Sequence, residues 1–253
     1  MTNPSIKAIT FDLWDTIFID DSDELKRKIA GKPPKTVERR QLVYNVVKKY
    51  NDNISQEIVN FVYDAIDAAF KKVWLEQFVT WSVYDRLILI LKGLNLTLPE
   101  DELKKLVLLH EEMELNFLPS TIKGVHEAIK ELHKRYKLGV ISDVVFTPGR
   151  YLRKLLEDEG ILEMFDVFIF SDEIGKSKPD PYVFYKACEE FGIKPEELVH
   201  IGDREHNDIE GAQKIGAKAI LCTAIIDRGS SNTKAHSVFN DYKDLPKIID
   251  NLV

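Results

Sequence analysis

From about residue 119 onward, short apolar segments alternate with amphipathic helical segments. The predicted strands lie at 137–142, 167–171, 198–201 and 217–222, and the predicted helices lie at 125–136, 148–159, 181–191 and 208–215. Alternation of this kind is typical of βαβ units, whose strands are parallel and whose crossovers are right-handed. The pattern therefore predicts an α/β fold with a doubly wound parallel sheet.

One more strand is predicted near the start of the chain, at 6–11, but the segment after it has a different character. Its apolar residues recur at helical spacing, as in the stripe that begins with Ile58, Val62 and Ile66. Serines at 55 and 82 are predicted helix starts. Four or five helices are predicted, near 23–30, 36–50, 55–79, 83–93 and 99–116.

These patterns predict two domains. The sheet and its helices form a core from 1–19 and 118–253, and an all-helical domain, 20–117, is inserted after the first strand. The tail after residue 225 has no clear pattern until a last predicted helix at 245–252.

Composition excludes several classes of function. A net charge of −7 opposes binding to nucleic acid through phosphate neutralisation. We expect no membrane span and no export signal, because no apolar run reaches ~18 residues and no basic-then-apolar leader is present. Cys188 and Cys222 lie in apolar contexts and are expected to be buried free thiols, which suits a cytoplasmic protein. A monomer and a homodimer both remain open.

Polar side chains stand where the predicted strands end. Asp12 follows the first strand, Ser142 ends the second, Lys178 precedes a Pro-Asp-Pro turn, and Asp203 and Asp208 follow the strand at 198–201. Because parallel strands deliver such residues to one edge of the sheet, we expect these groups to meet. A carboxylate nucleophile, a hydroxyl, an ammonium and a carboxylate pair form a phosphoryl-transfer site with a metal.

Each residue has a chemical reason to be there. The Asp12 carboxylate can attack phosphorus and form an acyl phosphate, which splits one hard hydrolysis into two easier steps. Thr16 can turn its hydroxyl back toward Asp12, while the Ser142 hydroxyl and the Asp143 backbone N–H can donate to phosphoryl oxygens. The Lys178 ammonium can neutralise negative charge on the nucleophile and the transferring group.

The remaining carboxylates predict a metal. Asp203 and Asp208, facing Asp12, would offer hard oxygen ligands, which suit Mg²⁺ rather than zinc. His206 lies in the same loop but has no Cys or His companion, so it is expected to be exposed rather than a zinc ligand.

In this order, the motifs resemble those of the haloacid dehalogenase superfamily of hydrolases, most of whose members are phosphatases. The resemblance covers 5–19 and about 119–225, while the insert matches in position, length and helical character. It implies a Rossmann-like core with a helical cap. It also implies that Asp12 is the nucleophile, that Thr16 and Ser142 bind the phosphoryl group, and that Lys178 neutralises charge. The implied Mg²⁺ ligands are the Asp12 and Asp203 carboxylates and the Trp14 backbone carbonyl, with Asp208 supporting the metal's waters.

One position departs from the phosphatases of this superfamily. They usually carry a second Asp two residues after the nucleophile, as general acid and base, and here that residue is Trp14. Loss of a positioned acid costs on the order of 10²–10⁴ in rate when the leaving group is poor. Asp15 and a residue of the cap are the candidate substitutes.

Three functions therefore compete. The favoured one is a Mg²⁺-dependent phosphatase acting on a small-molecule phosphate ester, through an aspartyl-phosphate intermediate. The second is a metal-independent 2-haloacid dehalogenase, a branch that also has an aromatic residue at the position of Trp14. Such an enzyme needs a cation for the substrate carboxylate, for which Arg39 and Arg40 are candidates. The third is a degenerate member that binds a phosphate compound or a protein without turnover.

Overall fold

The computed structural model describes residues 5–252. Its centre is one six-stranded sheet, in which every neighbouring pair of strands is parallel. In chain order the strands are β1 Ala8–Phe11, β2 Lys137–Ser142, β3 Val167–Phe170, β4 Leu198–Gly202, β5 Lys218–Cys222 and β6 Ser237–Phe239. The spatial order β3-β2-β1-β4-β5-β6 reverses direction at β1, which confirms the predicted doubly wound, Rossmann-like sheet.

The helices fall into two groups. Those between β1 and β2 are α1 Asp23–Ile29, α2 Lys35–Val47, α3 Gln56–Gln77, α4 Val83–Gly93, α5 Glu100–Glu111, α6 Met113–Asn116 and α7 Val125–His133. Those that follow β2 are α8 Gly149–Asp158, α9 Ser171–Ile174, α10 Pro181–Phe191, α11 Gly211–Gln213 and α12 Leu245–Asp250. The single helix predicted at 99–116 is interrupted, and α9 and β6 were not predicted.

The predicted helix starts in the insert are confirmed by their capping bonds. The Ser55 side chain accepts from the Ile58 amide, and Ser82 forms a reciprocal capping box with Asp85. The predicted apolar stripe of α3 is confirmed only in part, because Val62 and Ile66 pack against the core of the insert but Ile58 does not. Ile58 is 48% exposed, whereas the buried face carries Val59, Tyr63 and Phe70. The larger aromatic side chains on the neighbouring face turn α3 toward the other helices.

Buried apolar residues form three clusters. One covers one face of the sheet with residues such as Phe11, Val140 and Ile201, and a second covers the opposite face under α10 and α11. The third lies among α2 to α5 and contains Val43, Leu87 and Leu106. The helical insert thus has a core of its own. The exact domain boundaries, 1–19 with 118–253 and 20–117, stay a prediction.

Two smaller expectations are met. Cys188 and Cys222 are buried free thiols. Across the described part of the chain, every helix is too short or too polar to cross a bilayer.

Candidate active site

β1 lies between β2 and β4 and ends in Asp12, so this residue stands at the middle of the carboxyl edge of the sheet. The Asp12 amide donates to the Ile201 carbonyl (2.8 Å), which continues the ladder by one residue. The chain then turns sharply at Asp15, whose φ is 51°, a left-handed value that aspartate tolerates better than most residues. The Asp15 carboxylate closes the turn by accepting from the Asp20 amide (3.1 Å).

Lys178 brings two of the predicted carboxylates together. Its Nζ lies 2.8 Å from Asp12 Oδ1 and 2.6 Å from Asp208 Oδ1, and the side chain is buried. Burial alone would lower the pKa of Lys178, but the Asp12 and Asp208 carboxylates raise it above its usual value. The ammonium therefore remains charged beside Asp12. The alternative lysine of this loop, Lys176, is 41% exposed and pairs with Asp180.

Asp208 is held by groups on every side. Besides Lys178, its carboxylate accepts from the Arg204 amide (2.9 Å) and lies 3.2 Å from His200 Nε2. A carboxylate accepts, so Nε2 carries the proton and His200 Nδ1 accepts from the Thr10 hydroxyl (2.9 Å). Burial would raise the pKa of Asp208, but Lys178 and His200 hold it well below its usual range.

The backbone around Asp208 is shaped by these bonds. The predicted helix at 208–215 is replaced by a π-helical turn, Glu205–Glu210, followed by the short α11. Wider turns of this kind are frequent at functional sites. A Cβ at Gly202 would lie 2.2 Å from Asp208 Cγ, so the side chain crosses the end of β4 where glycine leaves room.

Asp203 has a different environment. Arg228 donates to its Oδ2 and, through Nη2, to Asp15 Oδ2 (2.7 Å). The other oxygen, Asp203 Oδ1, is buried and has no hydrogen-bond partner within residues 5–252. Burial, together with the charges of Asp12 and Asp208, raises the pKa of Asp203 to about 7. The positive charge around Asp203 is therefore too small to offset its burial and the negative charges of Asp12 and Asp208.

The three carboxylates fit a divalent cation. Asp12, Asp203 and Asp208 each offer one oxygen atom, and these atoms lie within 4.8 Å of one another. All the donors are hard oxygens, and Asp203 has one carboxylate oxygen, Oδ1, that no group of the described chain contacts by a hydrogen bond. The sheet thus gathers the side chains of the predicted metal set. The roles of its members, and that of the Trp14 carbonyl, stay predictions.

The predicted phosphoryl binders lie deeper. Thr16 Oγ1 and Ser142 Oγ are buried, and neither has a partner among the described residues. Asp143 was predicted to act through its backbone, yet its carboxylate also ties the loops together. It accepts from the Lys178 amide (2.8 Å) and from Asn207 Nδ2 (3.2 Å), and burial raises its pKa to about 6.

A cavity of about 260 Å³ opens above Asp12 and Lys178, between the sheet edge and the helical insert. The insert and the chain leading into it contribute Asp20, Asp21, Lys35, Arg39, Trp74 and Glu114, and the loop after β2 contributes Val145, Phe146 and Thr147. Trp14 is one of the residues that line the cavity, and its ring packs against Phe18, with ring centroids 6.1 Å apart. Position 14 therefore carries an indole ring and no carboxylate.

A profile described as haloacid dehalogenase-like hydrolase matches residues 6–216, most of the chain. The protein belongs to the haloacid dehalogenase-like hydrolase family. The predicted membership is confirmed, and with it the α/β fold that carries a cap.

Curated relatives in this family match part of the chain. A Pyrococcus furiosus protein named glyceraldehyde 3-phosphate phosphatase is 35% identical over 100 residues, which cover 39% of this chain and 40% of that protein. The pyrophosphatase PpaX of Halalkalibacterium halodurans is 28% identical over 142 residues, or 56% of this chain and 64% of that protein. The chain thus spans less than two thirds of the length of either relative.

Solved structures of family members match almost the whole chain. A HAD phosphatase from Thermococcus onnurineus superposes with a TM-score of 0.64 at 24% identity, covering 96% of this chain and 98% of that one. A 2-haloacid dehalogenase from Pseudomonas syringae superposes with a TM-score of 0.67 at 19% identity, covering 98% and 100%. Similarity at these identities establishes the shared fold.

Several residues of this family member's site were not predicted. Arg228 lies in the tail that carries no clear pattern, and His200 reads as an ordinary strand residue. Lys35 is one of several charged residues of α2, and Glu114 follows two other glutamates in the sequence, so only the packing of the insert distinguishes them. Of the two candidate arginines, Arg39 lines the cavity, whereas Arg40 pairs with Asp64 at the surface.

Proposed function

We propose that the protein is a Mg²⁺-dependent phosphatase that hydrolyses a small phosphorylated metabolite through an aspartyl-phosphate intermediate. The observation that carries this proposal is the contact between Lys178 and Asp12 at the floor of the cavity, beside the carboxylates of Asp203 and Asp208. The names of the curated relatives, which are phosphatases of small phosphate compounds, support the same reaction class.

Asp12 is the nucleophile in the proposed reaction. One of its carboxylate oxygens forms a bond to phosphorus while the bond from phosphorus to the ester oxygen breaks, and the leaving alkoxide takes up a proton. Water then attacks the acyl phosphate, releases inorganic phosphate and regenerates the carboxylate. Lys178 orients Asp12 and offsets negative charge throughout. The unpartnered hydroxyls of Thr16 and Ser142, with the Asp143 N–H, are proposed as donors to the phosphoryl oxygens.

The Asp12 and Asp203 carboxylates and the Trp14 carbonyl would hold the magnesium ion, with Asp208 as support. When bound, the ion supplies positive charge that stabilises the phosphoryl group as its charge develops. Arg228 donates a hydrogen bond to Asp203 Oδ2, so Oδ1 is the oxygen of this carboxylate that remains available to bind the ion.

The proposed reaction also needs a donor for the leaving-group proton. Trp14 has no proton of suitable acidity. Asp15, the neighbouring candidate, already accepts from the Asp20 amide with one oxygen and from Arg228 with the other. This arrangement favours substrates whose leaving group needs little protonation, or a proton delivered from the cap side.

The 2-haloacid dehalogenase remains the second candidate, and Trp14 is the observation that favours it. Against it stands the need for a free cation to bind the substrate carboxylate. Arg39 is engaged by Glu114, and Arg40 by Asp64. A degenerate binding protein is disfavoured because Asp12, Lys178 and the acidic cluster are all in place.

A substrate screen separates these functions. Aryl and alkyl phosphates and 2-haloacids would be incubated with Mg²⁺ or with excess chelator. We expect phosphate release with Mg²⁺ alone, and none from Asp12→Asn, while Asp64→Asn, at an exposed carboxylate, serves as the matched control. Halide release that does not require Mg²⁺ would establish the dehalogenase instead, and equal phosphate release in chelator would remove the metal role. The cytoplasmic location, and the monomeric or homodimeric state, are retained as predictions.

A further inference from the structure

At the end of the cavity formed by the helical insert, the cations Lys35 and Arg39 are already paired with carboxylates. Resting on the proposed function, we infer that this end receives an uncharged leaving group that bears hydroxyl or carbonyl oxygens, and that it selects against esters with a second anionic group. The recognised class is therefore a phosphate ester of a small neutral alcohol or hydroxy-aldehyde. The groups that argue for this are Lys35, Arg39, Glu114 and Trp74, all of which line the cavity.

Lys35 has no donor left for a substrate anion. Its Nζ lies 2.7 Å from Asp23 Oδ1, 3.2 Å from Asp21 Oδ1 and 3.2 Å from Glu114 Oε1. An ammonium has three N–H groups, and three carboxylates surround this one. The buried lysine is thus a structural counter-ion for the acids around it.

Arg39 is also neutralised. Its Nη2 lies 3.4 Å from Glu114 Oε1, and its guanidinium stacks 3.6 Å from the centre of the Phe146 ring. Burial would raise the pKa of Glu114, but Arg39 and Lys35 lower it, so this carboxylate stays charged. Glu114 also accepts from the Thr147 hydroxyl, which fixes it in place.

The balance of charge at this end is unfavourable to an anion. Over the whole cavity, the four lining cations are outnumbered by the six lining acids; the cations are Lys35, Arg39, Lys178 and Arg204, and the acids are Asp12, Asp20, Asp21, Glu114, Asp143 and Asp208. A substrate carboxylate or second phosphate placed here would meet net negative charge in a partly dehydrated space. Juxtaposed like charges of this kind are a common basis for rejecting a wrong ligand.

Two polar groups at the same end lack partners. Arg39 Nε and Trp74 Nε1 are buried, and in the part of the chain that the structure describes neither N–H has an acceptor. The Trp74 ring is held by stacking on Phe70, with an angle of 8° between the planes. Buried donors are normally satisfied, so these two indicate a ligand that brings acceptor oxygens without charge.

The direct test compares two esters that differ at one carbon. Glycerol 3-phosphate ends in a hydroxymethyl group, and 3-phosphoglycerate carries a carboxylate in its place. With the wild-type protein and Mg²⁺, we expect kcat/KM for glycerol 3-phosphate to be higher by roughly tenfold or more. Equal or reversed selectivity overturns the inference. An aryl phosphate is run in parallel, because its turnover supports the proposed function independently of the selectivity.

Two variants test the residues named. Glu114→Gln leaves Arg39 without its counter-charge and should raise the relative kcat/KM for 3-phosphoglycerate by roughly tenfold. Glu111→Gln is the matched control, because Glu111 pairs with Arg150 and does not line the cavity. No change in selectivity for a folded Glu114→Gln protein contradicts the inference.

Trp74→Phe removes one N–H and keeps the aromatic packing, so the test does not depend on the stability of the Glu114 variant. We expect kcat/KM for glycerol 3-phosphate to fall by roughly 3- to 10-fold, the effect of one lost hydrogen bond, and to fall by more than kcat/KM for an aryl phosphate, whose leaving group brings no acceptor oxygen to this N–H. Trp81→Phe, which also packs on Phe70 but does not line the cavity, is the control. Equal effects of the two changes would rule out a ligand role for the Trp74 N–H.

Discussion

Arg228 holds one oxygen of the Asp203 carboxylate, and the other oxygen is buried without a partner in the described chain. The same guanidinium reaches Asp15 in the turn after β1, so a residue of the tail joins the two loops that carry the acidic groups. In the absence of a metal, Arg228 is the nearest source of positive charge for Asp203.

The first prediction follows from that charge. Arg228→Gln should destabilise the metal-free protein by about 1–3 kcal/mol, because a buried carboxylate loses its charged partner. The same change should enlarge the rise in melting temperature on adding Mg²⁺, since the metal would then supply more of the missing charge. Thermal unfolding with and without Mg²⁺ measures both effects. Arg135→Gln, which removes a surface pair with Asp250, is the control. A smaller Mg²⁺ response in Arg228→Gln would contradict the prediction.

A second prediction concerns the missing acid. Trp14→Asp should speed the hydrolysis of alkyl phosphates more than that of aryl phosphates, by up to on the order of 10² in kcat, because only poor leaving groups need a proton. The measurement is kcat on both substrate types. Trp14→Asn opens the same space without an acid, and a similar gain for that variant would point to access rather than proton transfer.

Lys178 provides a third prediction. Lys178→Met should abolish turnover and destabilise the protein by about 3–5 kcal/mol, because the buried carboxylates of Asp12 and Asp208 would lose the ammonium that they share. Denaturant unfolding and phosphate release measure the two effects. Lys176→Met, two residues earlier and exposed, should change stability by less than about 0.5 kcal/mol. Comparable losses of stability and turnover in both variants would show that the effect comes from the loop and not from the contacts of Lys178 with Asp12 and Asp208.

The fourth prediction is a pH dependence of stability that originates in the insert. His110 is fully buried, its Nδ1 donates to the Leu106 carbonyl (2.8 Å), and burial lowers its pKa to about 4. Between about pH 6.5 and pH 4, His110 is protonated in the unfolded chain but neutral in the folded protein. The free energy of unfolding therefore falls as the pH drops through this window. The loss from this residue approaches roughly 3 kcal/mol near pH 4 and then levels off.

His110→Gln removes this titration. Its free energy of unfolding should therefore fall less steeply between pH 7 and 4 than that of the wild type, as measured in denaturant at several pH values. Parallel curves for wild type and His110→Gln would contradict the assignment.

The sheet and the positions of its polar residues were predictable because both follow from local patterns. An apolar run that is followed by Asp12 or Asp203 predicts a strand, and it also predicts that the aspartate lies at the carboxyl edge of the sheet. β6 escaped prediction because it is only three residues long and pairs with β5 through contacts that its own sequence does not encode.

The lining of the cavity could not be predicted for a related reason. Neither Trp74 nor Trp81 stands out in the sequence. Trp74 lies on α3, and the rotation of that helix brings it to the cavity, whereas Trp81 lies in the connection between α3 and α4 and does not line the cavity. That rotation depends on Tyr63 and Phe70 packing against neighbouring helices, whereas the predicted stripe placed Ile58, which is exposed, on the buried face. Periodicity locates a helix well, but the orientation of a helix with apolar residues on several faces is set by its partners.

At position 202 the decisive feature is a missing methyl group. Because β4 ends in Gly202, the Asp208 side chain can pass over the backbone of that residue and contact Lys178. Any larger residue there would push that side chain outward and leave Lys178 with one acidic neighbour at the cavity floor instead of two. The positive charge that Lys178 keeps beside Asp12 thus depends on the absence of a side chain at position 202, where every other amino acid would bring a Cβ into contact with Asp208.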